Sequence, residues 1–215
     1  MRAQARPRSA LWRVVSLAAV TVIVGACSSA SVPDTPPSDI ASYPSLAESG
    51  YASVTLTEDF DVPRPWLRQW LRDTGAFTKN LQSTDAIAKP ASTDVLEGTW
   101  YDEGSFRRVT LEDGHYVLER VVHNSPERFE YQIWAFTNAA GKNLDHIHGI
   151  QTFEALDTDT TRFTWTYAAK PNAGFKRPFV KRFVNGDVRD FLQSSLDLTV
   201  VEAEAAYRAD TGAPS

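Results

Sequence analysis

The chain has 215 residues and a formal net charge of −5, with 22 Lys and Arg against 27 Asp and Glu, and it holds one cysteine. That acidic balance argues against nucleic acid as a partner, because such binding rests largely on neutralising phosphates. A lone cysteine rules out an internal disulfide, so any fold must be held by its core.

Residues 1–26, "MRAQARPRSALWRVVSLAAVTVIVGA", begin with Arg2, Arg6, Arg8 and Arg13 and contain no acid. The uncharged run Val14–Ala26 is 13 residues long, and a membrane-spanning helix needs roughly 20. A cationic start, a short apolar run and small residues at its end make a secretory signal peptide. Val24-Gly25-Ala26-Cys27 resembles a bacterial lipobox, with valine where leucine is commoner, in which the cysteine is diacylated and becomes the mature N-terminus. Cys27 is therefore read as a lipidation site. Removing the signal takes four arginines and no acid, leaving 18 basic residues against 27 acidic ones and a net charge of −9. No polybasic patch follows Cys27, so membrane contact falls to the lipid, and multiple acyl chains anchor stably where one alone is marginal. The expected location is the bacterial cell envelope. Because Ser28 and not an aspartate follows the cysteine, the periplasmic side of the outer membrane is favoured if the source is Gram-negative.

Residues 27–50 follow as the lipidated cysteine and a tether. The stretch 28–50 holds four prolines and seven serines with few apolar side chains, too little buried surface to offset its ordering entropy. Residues 51–210 form one domain, long enough for a substantial core.

Within it, residues 51–62 alternate as a strand. "PRPWLRQWLRD" (63–73) is helical, with prolines in the first turn and Trp66, Leu67, Trp70 and Leu71 at helical spacing. Residues 74–98 are polar and ambiguous, with short helical turns the best reading. An antiparallel meander then runs through 105–111, 115–123, 128–136, 146–156 and 161–169, with turn residues between runs rich in β-branched and aromatic side chains. The segment from Arg177 to Asp210 is helical, with Val188, Phe191, Leu192, Leu198 and Val201 as its apolar stripe. Asn185-Gly186-Asp187 is expected to interrupt it, Asp187 capping a longer second helix. An antiparallel sheet with one apolar face needs a cover, and this last helix is the only large element left to supply it.

This order, together with "GTWYDEGSFRRVTLEDGHYVLERV", "YQIWAF" and "TFEALDTDTTRFTWTYAA", resembles the helix-grip fold of the START-like, or SRPBCC, superfamily, in its polyketide cyclase/dehydrase and lipid-transport branch. Gly104, Arg107 or Arg108, Asp113-Gly114, Glu119, Tyr131, Thr161-Arg162 and Trp165 fit the branch pattern over about residues 52–208. The resemblance implies an α+β fold, a curved antiparallel sheet wrapped around a long C-terminal helix, with an apolar cavity between them. It does not by itself imply one activity, because the superfamily hosts carriers, receptors, cyclases and binding proteins.

Period-2 alternation puts Phe163, Trp165 and Tyr167 on one face, and the aromatic set should point inward. On 146–156 the residues leave Ile147, Gly149, Gln151 and Phe153 open against His146, His148, Ile150 and Thr152. On 128–136 they leave Phe129, Tyr131 and Ile133 open against Gln132, Trp134 and Phe136. In both cases the resemblance selects the first set. Val117, Glu119 and Val121 share a face. The resemblance implies a pocket position for Glu119, where it could orient a ligand or, more weakly, act as general acid or base with a pKa raised by desolvation. The competing reading pairs it with Arg108 or Arg120 on the open face. The candidate ligand-binding residues are therefore Glu119, Tyr131, Ile133, Gln151, Phe153, Phe163, Trp165 and Tyr167.

His146 and His148 share a strand face and could chelate a metal with His123 or His115. No HExxH, GxSxG or glycine-rich phosphate loop accompanies them. No metal and no cofactor is expected.

Three functions remain. A lipid-anchored protein that holds a hydrophobic small molecule (a lipid, isoprenoid or aromatic compound) is preferred. The alternatives are a polyketide cyclase or dehydratase using Glu119, and an envelope protein-interaction module without a ligand. On this reading Glu119→Gln should change ligand affinity and leave the melting temperature nearly unaltered.

Overall fold

The computed structural model describes residues 30–212. The signal peptide and Cys27 lie outside the described residues. Seven strands form one antiparallel sheet: β1 (Ala52–Phe60), β2 (Pro90–Glu97), β3 (Phe106–Leu111), β4 (Tyr116–Asn124), β5 (Arg128–Trp134), β6 (Leu144–Ala155) and β7 (Thr161–Pro171). Their order across the sheet is β1-β7-β6-β5-β4-β3-β2, so the first strand closes onto the last and β2 is left at the far edge. Helices α1 (Arg64–Thr74) and α2 (Ala76–Lys79) follow β1, and α3 (Arg177–Phe183) and α4 (Arg189–Thr211) follow β7. The sheet curls around the C-terminal helix, as the sequence implies.

The strands alternate because one face is buried. In β1, Ala52, Val54 and Leu56 are buried while Ser53, Thr55 and Thr57 are exposed. Two of those threonines meet threonines of β7 on the outer face, Thr55 to Thr166 at 3.0 Å and Thr57 to Thr164 at 3.3 Å. In α1, Leu67 and Leu71 face the core. Gly75 ends the helix at φ 61°, its N–H donating to the Leu71 carbonyl, and the left-handed conformation suits glycine.

The ambiguous stretch 74–98 resolves into α2 and β2. Most of β2 is exposed, because as an edge strand it meets solvent on both sides. It therefore carries no apolar alternation and is held mainly by its ladder to β3.

The C-terminal helix corrects two expectations. Asn185-Gly186-Asp187 does not break it: a π-turn at Val184–Val188 carries the backbone from α3 into α4, and Asp187 caps neither. The widened turn keeps Val184 and Val188 both buried and lets the stripe continue past the polar residues. Leu198 and Val201 are 46% and 66% exposed. The inward face runs instead through Phe191, Leu192, Ser195, Leu196, Thr199 and Ala203. Ser195 and Thr199 are buried because α2 approaches there: Ser195 Oγ donates to the Phe77 carbonyl at 2.6 Å, and Asn80 Nδ2 donates to Thr199 Oγ1 at 3.2 Å.

Residues 30–50, expected as part of a tether, lie against the outer face of the sheet. The Tyr43 ring sits 3.8 Å from the Arg120 guanidinium and packs on Phe106 and Trp134. Gln132 donates to the Pro44 carbonyl at 2.8 Å, and Lys170 to the Ser49 carbonyl at 2.6 Å. The segment needs no core of its own, because β3–β5 provide an aromatic back for it.

Gly149 on β6 lies opposite Tyr131 on β5. A Cβ there would come within 2.1 Å of the Tyr131 ring, so only glycine lets the ring lie flat across the strand. Gly149→Ala should therefore cost about 1–3 kcal/mol, the usual penalty of overpacking, read by denaturant unfolding. Limited proteolysis under native conditions should spare residues 39–50, and Tyr43→Ala should expose them to cleavage.

Candidate functional site

Between the concave face of the sheet and helices α1, α2 and α4 lies a cavity of about 180 Å³. A dry apolar cavity of about 150 Å³ already admits benzene. Its aromatic wall is fixed internally: Trp165 Nε1–H donates to the Tyr131 hydroxyl at 3.0 Å, with both side chains buried. Phe77 of α2 packs on Trp165 from the helix side at 5.1 Å.

One ion pair sits in this apolar wall. Arg107 Nε and Nη2 both approach Glu119 Oε2 at 2.6 Å, and the two side chains retain only 14% and 9% exposure. The pair follows from register, because Arg107 of β3 stands directly opposite Glu119 of β4. The Trp100 ring covers the Arg107 guanidinium at 3.7 Å, an arrangement that arginine favours through its planar, weakly hydrated cation. Glu119 Oε1 has no hydrogen-bond partner among the described residues.

Further polar side chains border the space, among them Arg68, Arg72, Thr78 and Asn138. The Gln151 amide and the Tyr167 hydroxyl make no side-chain hydrogen bond among the described residues, and Tyr131 keeps its own O–H to donate. Burial pushes the Tyr131 and Tyr167 hydroxyls far above the ordinary phenol range, with the Glu119 charge adding to the effect. Both remain neutral donors at any physiological pH.

Glu119, Tyr131, Ile133, Gln151, Trp165 and Tyr167 all border the cavity. Phe153 and Phe163 do not. They face inward, but Phe163 packs against Phe60, Phe77 and Phe153 at 6.1, 4.7 and 5.1 Å, and Arg68 lies 4.5 Å over Phe153. These rings fill the sheet–helix space near the β6–β7 turn, so the cavity occupies the remainder of the concave face.

The pairing of Glu119 with Arg108 or Arg120 is not found. Arg108 pairs with Asp94 at 2.9 Å, and Arg120 donates to Gln132 on the outer face. Sequence reasoning missed Arg107 as the partner, although Val109 and Val117 on the same faces pointed to it. It also missed Trp100 and Tyr101, which border the cavity from the loop before β3. Tyr101 holds φ 86°, a strained conformation for a non-glycine residue that no local pattern announces.

The histidines are engaged separately. His146 shares a 2.7 Å hydrogen bond with Tyr51 and lies 2.8 Å from Asp145, while His148 lies 2.7 Å from Glu130. His115 contacts Thr137, and His123 contacts Glu103. Among the described residues no group of three His, Cys, Asp or Glu is placed to hold a metal ion.

Comparison with solved structures supports the architecture. The ZhuI aromatase/cyclase from Streptomyces sp. R1128 superposes with a TM-score of 0.57 at 16% identity, covering 76% of this chain and 99% of that one. A protein from Nitrosospira multiformis gives 0.54 at 16% identity, covering 73% and 99%. Ara h 8.0201 gives 0.51 at 15% identity, covering 70% and 99%. At such identities the likeness concerns the fold. None of the curated proteins matches the sequence. Residues 72–204, more than half of the chain, match the family described as polyketide cyclase / dehydrase and lipid transport. With its helix-grip sheet, the chain belongs to that family, within the START-like or SRPBCC superfamily.

Proposed function

We propose that the protein is a lipid-anchored binding protein of the cell envelope that holds a hydrophobic small molecule between its sheet and its C-terminal helix. One observation carries this reading: the cavity is walled largely by apolar and aromatic side chains, and Glu119 Oε1, the Gln151 amide and the Tyr167 hydroxyl border it with no side-chain hydrogen bond among the described residues. Apolar walls with a small number of placed polar groups are what a small-molecule site requires. Trp165, Tyr131 and Phe77 offer flat surfaces to a ring or chain, while Glu119 Oε1, Gln151 and Tyr167 could orient one polar end.

The family membership also admits a cyclase or dehydratase role, with Glu119 moving protons beside the Tyr131 and Tyr167 hydroxyls. Arg107 tells against it. A proton taken up at Oε1 would leave the buried Arg107 guanidinium against a neutral carboxyl, without the counter-charge that offsets its burial. A sheet packed solid on its helix would favour a protein-interaction module, and the open cavity speaks for a ligand instead.

Ile133→Trp should fill the cavity and abolish uptake of the neutral fluorophore N-phenyl-1-naphthylamine, with a stability loss of about 1–3 kcal/mol. Uptake that survives Ile133→Trp unchanged would place the probe elsewhere and remove the main support for binding. The expectation that Glu119→Gln leaves stability untouched is revised, because the substitution strands a buried guanidinium. It should cost about 3 kcal/mol, at the low end for breaking a buried pair, and Glu119→Gln with Arg107→Met should recover most of that loss. The double variant should still take up the neutral probe but lose discrimination among ligands with polar ends. Turnover of a polyketide substrate that Glu119→Gln abolishes would instead favour the enzyme reading.

The anchor has its own test. Globomycin should cause the precursor to accumulate, and Cys27→Ser should release the protein from membranes.

A further inference from the structure

We propose that α3 and the turn before it form a second membrane contact, a face that seats on a bilayer carrying anionic lipid. Phe175 and Phe179 are the two most exposed large apolar side chains among the described residues, at 77% and 73%. Lys176, Arg177, Lys181 and Arg182 surround them, and none of these four makes an ion pair among the described residues. Residues 171–186 contain no acid, in a chain whose net charge is −5. Exposed aromatics ringed by cations suit the boundary between headgroups and acyl chains, where each cation near an anionic surface strengthens binding on the order of fivefold.

The fold holds this face rigidly outward. Val180 and Val184 are buried, which pins the opposite side of the helix and leaves Phe175, Phe179 and the basic side chains to project. Lys176 donates to the Lys142 carbonyl and Arg177 to the Tyr51 carbonyl, tying the face to the end of the sheet.

The position of the N-terminus supports a membrane as the occupant. A second cavity, of about 370 Å³, is bordered by Phe179, Val180 and Ala30. Ala30 lies three residues after Cys27, and three residues span at most about 10 Å. An acyl chain on Cys27 would thus enter the bilayer beside the aromatic–basic face. This second cavity also shares Leu144, Ala140 and Phe183 with the ligand cavity. If the ligand-binding reading above holds, an apolar molecule in the bilayer would therefore face the cavity end directly. The membrane contact itself does not depend on that reading.

The test uses the full chain with Cys27→Ser and a single spin-labelled cysteine at position 175, 179 or 158. Thr158 lies in the exposed turn at the opposite end of β7. On vesicles of phosphatidylglycerol and phosphatidylethanolamine, labels at 175 and 179 should collide with oxygen in preference to a water-soluble nickel chelate, while the label at 158 stays aqueous. On pure phosphatidylcholine, or with Lys181→Glu and Arg182→Glu, the labels at 175 and 179 should return to water. Labels at 175 and 179 as aqueous as that at 158 on anionic vesicles would overturn the proposal. So would burial indifferent to lipid charge, or dipolar coupling between labels showing that a second copy of the chain covers the face. Uptake of the naphthylamine probe in solution is measured separately, so failure of the cavity and failure of the contact are distinguishable.

Discussion

A seven-stranded sheet that curls around one helix encloses more volume than that helix can fill, and the rest of the structure depends on how the excess is divided. Near the β6–β7 turn the excess is closed by rings: Phe60, Phe153 and Phe163 interlock beneath α1 and α2. Farther along, α2 draws close to α4 through Ser195 and Thr199, small side chains that bring the two helices together. Over β3–β5 no comparable plug exists among the described residues. The cavity is what remains once one end is packed to normal density.

That remainder carries a buried ion pair, and its energetics bear on its role. Placing Arg107 and Glu119 in an apolar wall costs desolvation that mutual attraction seldom returns in full, and hydrophobic residues of equal volume would commonly be at least as stable. The pair is therefore poorly explained by stability alone. It is better explained by what it keeps in the cavity: a carboxylate oxygen with no partner among the described residues, held in place by a guanidinium that Trp100 covers. The backbone strain at Tyr101, beside that tryptophan, fits the same pattern of local cost accepted at a site.

Much of the fold was legible because burial on one face imprints alternation. β1 and β4–β7 each showed it, but alternation alone assigned the inward set only on β7; on β4, β5 and β6 the family resemblance chose between the two faces. β2 was invisible for the converse reason, since an edge strand meeting solvent on both sides has no pattern to show. The break expected at Asn185-Gly186-Asp187 rested on sound local chemistry that the burial of Val184 and Val188 overrode. At the site, alternation grouped the side chains by face and the resemblance selected the inward groups, but neither could tell a cavity wall from packed core. Phe153 and Phe163 were therefore grouped with Gln151 and Trp165. Separating them requires knowing where α1 and α2 deliver Arg68 and Phe77, a long-range fact with no local signature.

The segment before β1 changes how an N-terminal anchor would act. Twenty-three residues behaving as a flexible coil would hold the domain at a root-mean-square distance of about 26 Å and leave its orientation free. Composition alone suggests that regime for residues 28–50. Instead Tyr43, Pro44 and Ser49 are engaged by Arg120, Gln132 and Lys170, and the described chain already borders α3 at Ala30. An anchor at Cys27 would then act through a link of about 10 Å. So short a link limits rotation as well as distance, turning the α3 end of the domain toward the bilayer and the β6–β7 turn away. Orientation, more than added affinity, is what the packed segment would contribute. It also gives a physical reason for proline and serine over apolar residues in 30–50: the segment lies on an existing surface without building a core of its own.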